Sequence, residues 1–132
     1  MRRAPVCALL AALLPACAGA APLVTYSRTG GIAGEMTTLR ISAHGKARVD
    51  SNRQEEPRRF TLSEERLARV KKVLRDADFA TLEPSYDPRF GVVTDGITEA
   101  VTYGGRTVSA STGGEPPERF ERVLAKLGRI AA

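Results

Sequence analysis

Few residues in this chain have types and spacings that could do chemistry. There is one histidine in the 132 residues, His44, inside "AHGK". A histidine acting as a base needs an orienting partner and a nucleophile, and neither stands near it in a known motif. Next to Gly45 it reads as a solvated turn residue. Zinc needs three or four ligands drawn from His, Cys and carboxylates. One histidine and two cysteines near the start do not supply a usual set. Asp87 and Asp95 stand in "DPRFGVVTDG", but calcium asks for a denser run of oxygen ligands, so their expected role is turn chemistry. "TYGGRT" and "STGGEPP" resemble phosphate-cradling glycines only superficially. No lysine accompanies them, and Pro116 and Pro117 remove N–H donors. Neither G-x-S-x-G nor H-E-x-x-H occurs. The expectation is a non-enzyme without a metal or cofactor.

The unexplained feature is "TGGIAGE". Gly30, Gly31 and Gly34 crowd around Ile32 and Ala33. Glycine loses more freedom on folding than any other residue, so a simple turn would not need three in five positions. Two readings follow. In one, the segment is a wide hairpin connection and Ile32 caps the core. In the other, it is a recognition loop presented on a rigid sheet.

The elements around it are legible. Residues 1–20 read as an export leader. Arg2 and Arg3 precede the apolar run "VCALLAALL", and small residues follow. That run is too short to span a bilayer. Small-x-small cleavage would release a chain from about residue 19 or 21. Alternatively, "LPAC" resembles a lipobox, with Cys17 as the lipid-bearing residue and a lipid as membrane anchor. In either case residues 21–132 form one domain, and both cysteines fall in the leader, so a disulfide framework is not expected. Removing Arg2 and Arg3 lowers the net charge of +5 by two. The remaining arginines interleave with acids, as in "EERLARVKKVLRD". No basic stripe with stacking aromatics appears, which argues against nucleic acid.

Within the domain, "LVTYSRT" (Leu23 to Thr29) alternates as a strand. "MTTLRIS" sets Thr37, Leu39 and Ile41 opposite Met36, Thr38 and Arg40, and "ARVD" returns as a short strand. "SNRQEEPRR" (Ser51 to Arg59) is polar, contains Pro57 and reads as a surface connection. A helix follows, with Ser63 as N-cap, Glu64 and Glu65 in its first turn, and Leu62 and Leu67 as a staple. Its stripe is Leu67, Val70, Val73, Leu74 and Ala77, and Phe79 and Leu82 fold back on it. "EPSYDPRFGVVTDG" reads as a loop. "ITEAVTYGGRTVSAS" reads as a hairpin about Gly104-Gly105, with Glu99 in conflict with its apolar face. "PPERFERVLAKLGRI" opens with prolines suited to a first turn and carries Phe120, Val123, Leu124, Leu127 and Ile130 as a stripe. This order predicts a two-layer α+β domain, an antiparallel sheet of about four to five strands with both helices on one face.

Taken together, four ordered segments resemble the emfourin family, small bacterial inhibitors of thermolysin-type metallopeptidases. "YSRTGGIAGEM" resembles the family's opening strand and R-x-G-G-[aromatic or aliphatic]-A-G loop. "LRDADFATLEP" resembles its helix end, "DGITEAVTYGGRTVSAS" its glycine-turn hairpin, and "PPERFERVLAKL" its closing helix. Ala80 departs from a common second Phe, and Glu99 from a common aromatic. The resemblance implies an α+β fold and a protease-binding loop of Gly30, Gly31, Ile32, Ala33 and Gly34. Glycines would let the backbone approach a crowded metal site, and Ile32 would enter the apolar specificity pocket. The zinc would belong to the target. The expected protein is therefore an exported inhibitor in the periplasm, envelope or medium. The alternative is a cell-envelope lipoprotein or binding module that keeps this fold without inhibiting.

Overall fold

A computed structural model describes residues 21–89 and 95–132. The leader, including Cys17 and both cleavage sites, lies outside the described residues, as does 90–94 of the "DPRFGVVTDG" segment.

The chain forms seven strands and two helices: β1 Val24–Gly30, β2 Glu35–Ile41, β3 Lys46–Ser51, β4 Arg58–Thr61, α1 Glu64–Asp76, β5 Ser85–Tyr86, β6 Ile97–Tyr103, β7 Arg106–Ser111 and α2 Glu118–Ala131. They make one sheet in the order β4-β3-β2-β1-β6-β7-β5. The α+β class stands, but the sheet is larger than the expected four to five strands and is mixed. β5 runs parallel to β7, while every other neighbouring pair is antiparallel. The two extra strands are the edges. β4 begins inside the expected surface connection, just past Pro57, and β5 lies in the expected loop. With four and two residues, neither is long enough to show a period.

Alternation places the core. Val49, Leu39, Tyr26, Val101 and Val108 stand side by side across five strands. All are buried, as are Val24, Ile41 and Ala47 in the next rank. The helices cover this inner face with Leu67, Val70 and Leu74 from α1 and Phe120, Val123, Leu127 and Ile130 from α2. Phe79 and Leu82 fold back as expected, and the Phe79 ring meets Tyr103 and Phe120 edge-on at centroid distances of 5.3 and 6.0 Å.

Side chains satisfy three of the four helix ends. Ser63 accepts a bond from the Arg66 N–H at the start of α1. Arg119 Nε donates to the Ala77 carbonyl just past its end, at 2.9 Å. Arg58 Nη2 reaches the carbonyls of Ile130, Ala131 and Ala132 at 3.0 to 3.2 Å. Last-turn carbonyls lack helical partners, and a cation there also complements the helix dipole. Pro117 stands at the N-cap of α2, so the prolines lie just ahead of the first turn rather than in it. Gly104 and Gly105 form the two-residue turn between β6 and β7, with φ of 60° and 77°. Positive φ at both central positions is what a primed hairpin turn requires.

Candidate functional site

Gly30 pairs with Glu35, so the loop between β1 and β2 is four residues, Gly31 to Gly34. The Gly34 N–H donates to the Gly31 carbonyl at 3.1 Å and closes a turn with Ile32 and Ala33 at its centre. Gly31 and Gly34 have φ of 81° and 61°, and a Cβ on either would meet nothing within 4 Å. Both positions favour glycine for backbone conformation, and both face open space.

Ile32 is 90% exposed. It does not cap the core, and that reading of the loop is set aside. Met36, the second residue of β2, is 59% exposed. These two are the exposed large hydrophobic residues among those described, and they share one end of the sheet.

Gly30 has a role within the fold. Its φ is 117°, and a Cβ there would lie 2.2 Å from the Gly96 carbonyl oxygen, at the start of β6. Side-chain atoms do not approach a backbone oxygen so closely, so the β1–β6 pair itself requires glycine. Gly31 continues the contact by donating its N–H to the same oxygen at 3.3 Å.

The exit of the loop is held by Asn52, in the connection between β3 and β4. Its Nδ2 donates to the Gly34 carbonyl at 2.8 Å, and its Oδ1 accepts from the Met36 N–H at 3.0 Å. Its backbone N–H donates to the Met36 carbonyl at 3.1 Å. The loop is thus tied to β6 at its entrance and to the β3–β4 connection at its exit. Asn52 was not legible as a site residue. An Asn in a polar run signals only a turn, and its partners are 16 and 18 residues away.

Below the loop, on the inner face, the sheet and α2 border an open cleft of about 710 Å³. Tyr26, Arg28, Glu99, Glu121 and Arg129 contribute to its walls. Here the Glu99 conflict resolves. Glu99 is half-buried and accepts a 2.6 Å hydrogen bond from the Tyr26 hydroxyl. Burial of the phenol, reinforced by that bond to Glu99, pushes the Tyr26 pKa above its ordinary value.

The other sequence candidates stay apart. His44 is exposed in the turn after β2, where its N–H donates to Ser42 Oγ at 3.3 Å. Asp87 accepts from the Ser111 hydroxyl at 3.1 Å, and Asp95 takes a left-handed conformation, φ 63°. Asp95 fits the expected turn chemistry, whereas Asp87 bonds across to β7, 24 residues along the chain, rather than to nearby backbone. Among the described residues no three His, Cys, Asp or Glu side chains group as metal ligands, and no helix is long and apolar enough to cross a membrane. No protein-family model matches the chain, and no curated protein matches it significantly.

Proposed function

We propose that this protein is an exported inhibitor of a thermolysin-type zinc metallopeptidase, and that the Gly31–Gly34 turn enters the target's cleft with Ile32 as its apolar anchor. The observation that carries the reading is Ile32 itself, 90% exposed on a turn closed by its own hydrogen bond and tied down on both sides. Burying such a side chain in a partner pocket is worth about 1.5–3 kcal/mol. A loop already held in one conformation loses little freedom on association, which leaves more of that energy as affinity. The resemblance of the loop and its flanking elements to the emfourin family points to the same class of target.

In this mechanism the chain contributes shape rather than reactive groups. Gly31 and Gly34 leave the turn's flanks open, so the backbone around Ile32 can come close to a metal-centred cleft. The hydrogen bonds at the turn's ends keep it from extending into a cleavable strand. Zinc is supplied by the target. The leader-like residues 1–20 bring the inhibitor to the compartment where such a peptidase works.

Titration of the mature domain against a panel of thermolysin-type peptidases tests the reading. Ile32→Asp is expected to abolish inhibition while changing stability by no more than about 0.5 kcal/mol, as surface substitutions do. A variant that still inhibits, or a wild-type chain that inhibits none of the panel, overturns the proposal. The latter result would leave the envelope binding module as the better account of the fold.

A further inference from the structure

The helices cover one face of the sheet and leave the other open. On the open face, β2 presents Met36, Thr38 and Arg40, and β3 presents Arg48 and Asp50. Register aligns Arg40, Arg48 and Arg59 directly across β2, β3 and β4. Like charges opposite one another on neighbouring strands are destabilising. Asp50, the one carboxylate among the strand residues of this face, relieves part of that repulsion. It accepts from Arg48 Nε at 2.9 Å and from Arg40 Nη1 at 3.2 Å. Arg59 makes no ion pair among the described residues. Charge on an edge strand discourages unwanted strand pairing, which accounts for Arg59 on β4. It does not account for Arg40 and Arg48, which stand on interior strands.

We propose that this arginine row is a second docking surface, and that it takes an acidic patch on the same peptidase whose cleft receives Ile32. The assignment rests on the inhibitor reading. One feature joins the surfaces. Met36 lies on the open face at the loop end, so exposed apolar surface continues from the loop onto the sheet. From Met36 to Arg40 is four residues along β2, about 13 Å at strand spacing. That is farther than the screening length of about 8 Å at physiological salt. The arginines therefore act on groups of the partner that come to rest against the sheet, not on those in its cleft. Charges placed in this way chiefly govern encounter and orientation, so their signature is an association rate that depends on salt.

The test compares two double variants of the mature domain, with thermolysin-type peptidases as probes. Arg40→Glu/Arg59→Glu reverses the row. Arg66→Glu/Lys72→Glu changes the net charge equally on the exposed side of α1. The row variant is expected to inhibit fully at saturation but to associate about tenfold more slowly than wild type at about 50 mM salt. The gap should close at about 0.5 M salt, and the α1 variant should stay within about twofold of wild type. Circular dichroism melts confirm that both variants fold. Equal rates for the two double variants, in a wild-type background that inhibits and loses inhibition with Ile32→Asp, overturn the docking surface alone. Absence of inhibition by wild type overturns the functional reading and this assignment with it.

Discussion

The Tyr26 hydroxyl donates to Glu99 across the β1–β6 pair, one rank nearer the loop than Tyr26's own neighbour Val101. The bond lets the core strand β1 carry a large ring whose polar end lies at the edge of the apolar layer. It also gives the carboxylate of Glu99 a hydrogen-bond donor on the inner face of the sheet. Tyr26→Phe should therefore lower stability by about 1–2 kcal/mol, measured by denaturant unfolding. Folding holds the phenol in its protonated form, since the folded pKa is raised above the unfolded value. The associated stability is fully present below about pH 10 and declines as pH rises above it. Wild type should lose stability in that alkaline range more steeply than Tyr26→Phe. Parallel slopes would disprove the linkage.

Asn52 is expected to matter for binding more than for folding. Asn52→Ala removes both side-chain bonds to the loop's exit. The affected groups are solvent-accessible, so the melting curve should move by the equivalent of about 1 kcal/mol or less. Inhibition should weaken about tenfold, because the turn must then be ordered on association. An inhibition constant that follows the stability change alone would remove Asn52 from the site.

The adjacent glycines should behave differently. Gly30→Ala places a Cβ against the Gly96 carbonyl in a positive-φ conformation, and should destabilise the domain by more than about 2 kcal/mol. Gly31→Ala meets no neighbour and bears only the backbone strain, about 1 kcal/mol. Unfolding curves of the two variants, recorded side by side, check the order. Equal losses would show that the β1–β6 contact is not what requires Gly30.

Local pattern made most of this fold legible. The stripes of α1 and α2, the alternation of β1 and β2, the Ser63 cap and the Gly104-Gly105 turn are signals carried within a few residues, and each appears where the sequence places it. The misses depend on distant partners. β4 and β5 exist because β3 and β7 offer edges to pair with, and two to four residues hold no period of their own. Glu99 looked misplaced because its partner, Tyr26, is 73 residues away. At the loop, composition alone singled out Ile32 and its glycines. It could not separate Gly30, which the sheet requires, from Gly31, which faces open space, because that difference lies in the approach of Gly96.

The path of β1 has a further consequence. The strand enters the sheet at Val24 and delivers the chain to the loop six residues later, at Gly30. The segment ahead of β1 and the Ile32 turn therefore lie at opposite ends of one strand, about 20 Å apart. A lipid, a bead or a fused carrier attached ahead of Leu23 grips the domain like a handle and leaves the Ile32 tip pointing away from the support. Immobilisation through that end leaves the tip free to reach a partner in solution. Attachment through the loop's own end of the sheet would bury it.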